Sequence, residues 1–199
     1  MSVINGTIFL RHSLPVIEPA IPAREWRLSE EGQRRCRLLA GRLAKFNPQR
    51  IVSSLEPKAQ ETAQIVAETL GMPYESAAGL HEHLRSRVEH TSQEIFEALV
   101  RAFFEQPDQL VYGDETAAQA YNRFAQAVET IQDKYRSQTP LVIVTHGTVI
   151  SLFVARVCGV DPFSVWKSLK LPCMVVFSAQ FPSIISLESS DPFPLIAGC

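Results

Sequence analysis

The chain predicts an α/β domain, residues 1–199 as one unit, with a mostly parallel sheet of about six strands and helices on both faces. Three observations carry this reading. Residues 7–13, TIFLRHS, and 141–146, LVIVTH, open on apolar runs without polar alternation, as strands buried on both faces do. The order of elements from the N-terminus is β-α-β-α, the pattern of right-handed crossovers in a parallel sheet. Between the two strong runs lie stretches with apolar residues at helical spacing.

The elements follow in order. After the first strand, Leu14 to Arg24 carries Pro15, Pro19 and Pro22, which predicts an irregular loop over the strand end. Ser29 reads as an N-cap for a helix that runs through Leu38 to Leu43 and stops near Asn47 and Pro48. Arg50 to Ser54 is a second strand. Pro57 opens a second helix whose Ala59, Ala63, Val66 and Leu70 share a face, and Gly71 closes it. A short strand is expected near Tyr74, then helices over Ser92 to Glu105 and Glu115 to Arg136. The strand LVIVTH passes through His-Gly-Thr into an apolar helix, Val149 to Val157. Cys173 to Ser178 and Ile184 to Leu187 supply two closing strands. The sequence shows no repeat, low-complexity tract or linker.

Composition excludes several function classes. The formal charge is -2 and 46% of residues are hydrophobic, so no global field draws nucleic acid or an anionic membrane. Cys36, Cys158, Cys173 and Cys199 are scattered without a CxxC, which fits a reducing, cytoplasmic setting better than a disulfide frame or zinc site. The opening MSVINGT has no leader pattern. Leu141 to Val160 is largely apolar, yet it holds His146, Arg156 and a His-Gly break, so strand plus buried helix fits better than a membrane crossing. No partner protein or oligomeric state is legible.

Three predicted strand ends carry polar residues of one chemical kind: Arg11 and His12; Ser53 and Ser54 with Lys58 beyond; Thr145 and His146. Carboxyl ends of parallel strands face one way, so these groups can converge. Two histidines and two cations beside a helix N-terminus suit a tetrahedral anion such as phosphate.

FLRHS, LSEEG, SSLEPKAQETA, LHE, GDET and VTHGTVI run in that order over nearly the whole length, and in this the chain resembles the histidine phosphatase superfamily, the phosphoglycerate mutase-like proteins. The resemblance implies a phosphomonoesterase of histidine acid phosphatase type acting on a small phosphorylated molecule. It makes His12 the phosphoryl-accepting nucleophile, with Arg11, Lys58 and His146 on the phosphoryl oxygens and Ser13 and Gly147 at the phosphate. Glu82, in the family's L-x-E place, becomes the general acid and base. The chemistry agrees: a neutral imidazole can attack phosphorus, the rest is positioning and electrostatics, and neither metal nor cofactor is required.

Two positions depart from the family. Ser13 stands where it has glycine, and Lys58 where it has arginine, giving a point charge in place of a planar fork. Lys58 could instead pair with Glu61 on the surface. The acid role could pass to Glu89 or to a histidine of LHEHLRSRVEH, and His81, His83 and His90 match no common metal spacing. Only 32 residues separate Glu82 from Glu115, too few for the larger insertion that the family's mutases carry, so hydrolysis is favoured. Mutase-type phosphotransfer, and a catalytically weak relative that only recognises phosphate, stay open as alternatives.

Overall fold

The computed structural model describes residues 6–85, 92–177, 182–187 and 193–194. Much of MSVINGT, together with Glu89, His90, Ser178 and Cys199, lies outside the described residues.

One sheet of seven strands organises the chain: β1 (Thr7–Arg11), β2 (Arg50–Ser53), β3 (Tyr74–Ser76), β4 (Leu141–Thr145), β5 (Cys173–Phe177), β6 (Pro182–Ser186) and the two-residue β7 (Phe193–Pro194). Their order is β3-β2-β4-β1-β5-β6-β7. The first four in this order run parallel, and β5 turns antiparallel against β1. The sheet therefore has one strand more than the sequence predicts, because β7 is too short to leave a pattern.

Alternation along each strand sends residues to two cores. Ile8, Leu10, Ile51, Val142 and Val144 meet α1 (Glu30–Leu43) and α2 (Pro57–Leu70) through Leu39, Leu43, Ala63 and Val66. Phe9, Val52 and Ile143 face the other way, onto α4 (Ala117–Lys134) and α5 (Gly147–Cys158) through Phe124, Val128, Val149 and Phe153. A buried side chain of this size contributes about 1.5–3 kcal/mol, so the paired cores fix which face each strand turns inward. α3 (Gln93–Glu105) builds a satellite with α6 (Pro162–Ser168) through Phe103, Phe104 and Phe163.

The local signals hold. The hydroxyl of Ser29 accepts the Gly32 N–H at the start of α1, Pro57 opens α2, and Gly71 ends α2 in the left-handed conformation. Short α6 lies outside the elements that the sequence predicts, although Asp161 caps it by accepting the Ser164 N–H and Pro162 stands in its first turn.

Register places the site. Arg11 pairs with Thr145 and Ser53 with Val144. The ladder continues past the strand ends, with the His12 N–H donating to the Thr145 carbonyl and the Ser54 N–H to the Val144 carbonyl, each at 2.9 Å. Three adjacent strands thus end level, with His12, His146 and Ser54 side by side.

Candidate active site

His12 and His146 lie 5.1 Å apart between ring centroids, both buried. The Nδ1 of His12 is 2.8 Å from the Ser13 carbonyl, an acceptor only, so Nδ1 carries the proton and Nε2 keeps its lone pair. Burial, followed by the neighbouring charges of His146, Lys58 and Arg11, holds the His12 pKa well below its ordinary value. The ring is therefore neutral near pH 7.

His146 is the N-cap residue of α5. Its Nε2 lies 2.9 Å from the Ser54 hydroxyl and 3.5 Å from Oε1 of Glu56, while its Nδ1 is buried without a hydrogen-bond partner. Ser54 Oγ accepts the Glu56 N–H and can donate to Nε2, a network completed with the proton on Nδ1. Burial drives the His146 pKa well below its ordinary value, against the raising effect of Glu82.

The Arg11 guanidinium donates to the Leu169 carbonyl, leaves Nε unpartnered, and lies against Gly147 at the start of α5. A Cβ on Gly147 would stand 3.0 Å from the guanidinium carbon, which explains the glycine in His-Gly-Thr.

Lys58 does not reach Glu61, which instead holds Arg27 and the Leu28 N–H. It is 5% exposed, and its ammonium donates to the Ala23 carbonyl at 2.7 Å and to Glu56 Oε2 at 2.5 Å. One of its three N–H groups is left for a ligand. Ser13 turns away from the cavity: its hydroxyl donates to the Gly32 carbonyl at 2.7 Å and its N–H to Thr62 Oγ1 at 3.0 Å. Ser13, expected at the phosphate, spends its hydroxyl on a tie between the first loop and α1. Gly32 allows it, since a Cβ there would meet the Leu14 carbonyl oxygen at 2.1 Å.

Glu82 accepts the His83 N–H at 2.9 Å and, through its other oxygen, the Thr148 N–H at 3.2 Å, in the first turn of α5. Burial raises its pKa, but His146, Arg85 and the His83 N–H outweigh that and hold it below the ordinary carboxylate value. The His83 ring is buried, 4.1 Å from Phe103 and 4.7 Å from Tyr112 between centroids.

Two contributors escape the sequence reading. Glu56 is buried beside Lys58, and its Oε1 accepts the Glu82 N–H at 2.8 Å. Arg123 grips both oxygens of Glu115 and donates to the carbonyls of Gly79, His81 and Glu82. The E-P-K spacing around Pro57 signals the first, whereas Arg123 sits in an amphipathic helix and carries no signal.

Arg11, His12, Glu56, Lys58 and Glu82 line a cavity of about 610 Å³. Among the described residues no cluster of histidine, cysteine and acidic side chains is arranged to hold a metal, and no helix is long and apolar enough to cross a membrane.

Level strand ends carrying a histidine pair, with two cations and a helix N-terminus beside them, make an α/β site suited to an anion. The chain belongs to the histidine phosphatase superfamily, branch 1, whose family model matches residues 17–178. That span starts beyond Arg11 and His12. No curated protein matches the sequence. Among solved structures, a mycobacterial glucosyl-3-phosphoglycerate phosphatase is similar with a TM-score of 0.69 at 20% identity, covering 96% of each chain. A phosphoserine phosphatase mutant from Entamoeba histolytica, in complex with phosphoserine, gives 0.68 at 18% identity over 90% of this chain and 94% of that one. The alpha-ribazole phosphatase from Shigella flexneri gives 0.67 at 18%, over 92% and 96%. At these identities the likeness concerns the fold.

Proposed function

We propose that the protein hydrolyses a small phosphomonoester through a phosphohistidine on His12, without a metal. The observation that carries this is the His12 ring: neutral, tautomerically fixed by the Ser13 carbonyl, and lining a cavity with Arg11 and Lys58. Nε2 attacks phosphorus as the P–O bond to the alcohol breaks, and the Ser13 carbonyl stabilises the positive phosphoimidazole through Nδ1–H. Arg11 Nε, His146 Nδ1–H and the free N–H of Lys58 receive the phosphoryl oxygens, which accounts for two buried nitrogens that otherwise lack partners.

Glu82 handles the protons. It is ionised in the resting site, and an arriving phosphate dianion favours its protonated form. It then protonates the leaving oxygen; in the second step it takes a proton from the water that attacks phosphorus, and His12 departs. The sum is ester plus water to alcohol plus phosphate. Arg11, Lys58 and the N-terminus of α5 meet the developing charge, so the chemistry asks nothing of a metal.

The 32 residues between Glu82 and Glu115 support hydrolysis over mutase-type transfer. The pairing of Lys58 with Glu56 supports a second reading, phosphate recognition with little turnover, because it cancels one cation of the cradle. A panel of phosphate esters, assayed with wild type and His12→Ala in the presence of chelator, separates them. Turnover with an alkali-stable, acid-labile adduct on His12, lost in His12→Ala, supports the proposal. Phosphate bound with no ester hydrolysed leaves recognition only, and label on a serine overturns the mechanism.

A further inference from the structure

We infer that the alcohol released by this site is apolar, an alkyl or aryl group rather than a polyol; this rests on the phosphomonoesterase reading above. One wall of the cavity comes from a single segment and holds Leu14, Pro15, Ile17, Pro22, Ala23 and Trp26. The Trp26 indole N–H is the sole polar side-chain group among these six, and it is spent on the carbonyls of Glu18 at 3.0 Å and Ile21 at 3.3 Å. Those bonds hold the ring as a fixed surface.

The wall is anchored. Leu14 O accepts from the Ser29 N–H and Val16 N–H donates to the Arg27 carbonyl. Lys58, on the phosphate floor, donates to the Ala23 carbonyl, so the apolar surface begins beside the phosphate. A leaving group enters it within a few atoms of phosphorus. Sugar hydroxyls placed there lose water and find no partner among these six side chains, which costs a polyol ester affinity. Methylenes or a ring lose only water. Ile17 is 58% exposed, an apolar residue left open at the mouth that a ligand would cover.

Polar groups also line the cavity. Arg24, within the same segment, has a side chain 58% exposed and stands beside Glu25, and His81, His83, Arg85 and Asp114 belong to the rest of the lining. They give a polar edge to a site whose fixed wall is apolar.

Two measurements on the full chain test this: the affinity of n-alkylphosphonates from two to eight carbons, by calorimetry, and kcat/KM for hexyl phosphate against a hexose 6-phosphate. Affinity should rise by about 4-fold per methylene until the wall is covered, and the hexyl ester should exceed the hexose ester by about 10-fold or more. Ile17→Ser, at an exposed position that the fold does not depend on, should flatten the rise, and Trp26→Ala should flatten it further. Affinity independent of chain length, or a preference for the hexose ester, overturns the inference even when turnover is high. A rise with chain length in a protein that hydrolyses nothing upholds the apolar wall and removes the hydrolase reading instead.

Discussion

Arg123 holds Glu115 in a two-pronged ion pair, 2.6 Å at its shorter contact, and spends its remaining donors on the backbone carbonyls of Gly79, His81 and Glu82. Glu115 in turn accepts the Leu84 N–H. The pair is a frame for the backbone that presents Glu82. The GDET motif thereby acquires a physical role, since its glutamate fixes the arginine that fixes the LHE segment.

Removing one partner of this frame strands the other in a buried place. Arg123→Met should cost about 3–5 kcal/mol of unfolding free energy, read from urea titrations. Arg123→Lys keeps the charge and loses the fork, so it should stay folded with lower kcat on esters that need a proton from Glu82. Equal losses on an activated aryl phosphate and a poor alkyl leaving group would assign Arg123 to stability alone.

Lys58 and Glu56 form the second buried pair, with side chains 6% and 9% exposed. Lys58→Ala removes the proposed phosphate donor and leaves the Glu56 charge unpaired beside it. The loss of one charge-assisted hydrogen bond, about 1.5–3 kcal/mol, lowers kcat/KM by about 10-fold to 100-fold, and the stranded carboxylate adds to it. Glu56→Gln keeps an acceptor for the Glu82 N–H while freeing Lys58, so inorganic phosphate should inhibit more strongly. The double variant should recover part of the loss of Lys58→Ala; strict additivity would mean that the two side chains do not act on phosphate together.

Much of this was legible because the signals are local. Ser29, Pro57 and Gly71 mark their helix ends by their own chemistry, and the level strand ends follow from parallel order alone. What escaped the sequence depends on tertiary register. Whether Lys58 turns to Glu61, one helical turn ahead, or back to Glu56 across Pro57 is settled by the Ala23 carbonyl, supplied from a loop 35 residues away. Ser13 reads as a residue at the phosphate until the close approach of Gly32 gives its hydroxyl a different partner. Arg123 looks like any polar residue on an amphipathic helix until the 79–84 backbone is laid across it.

Stability should fall as pH drops from 7 to 5. His12 and His146 have folded pKa values well below their ordinary ones, chiefly from burial. Below about pH 6.5 the unfolded chain binds protons that the folded chain refuses, so stability present above that value is lost on acidification. Each such histidine contributes a slope of about 1.4 kcal/mol per pH unit. Urea titrations of wild type and His146→Asn measure it: the variant's slope should be shallower by about one histidine, and equal slopes would mean that His146 accepts a proton in the fold as readily as in the unfolded chain.

Gly147→Ala separates stability from activity at one atom. The added methyl stands 3.0 Å from Cζ and Nε of Arg11 and 3.2 Å from Nη2. Arg11 has little room to yield, because its guanidinium is tied to the Leu169 carbonyl and packed under the start of α5. The backbone itself loses nothing, since Gly147 lies in an ordinary helical first turn, where alanine gains about 0.5–1 kcal/mol over glycine. Stability should therefore hold nearly level, with helix gain offsetting contact strain. Activity should not. A shift of a few tenths of an ångström moves the donors proposed to meet the phosphoryl oxygens, and a displacement of about 1 Å can cost about 100-fold, so a loss in kcat/KM approaching but below that figure is expected. Phosphate inhibition should weaken in parallel, because the same donors hold product. If Gly147→Ala instead kept full turnover and full phosphate affinity, Arg11 would not be a ligand of the phosphoryl group, and the cradle would reduce to Lys58, His146 and the helix N-terminus.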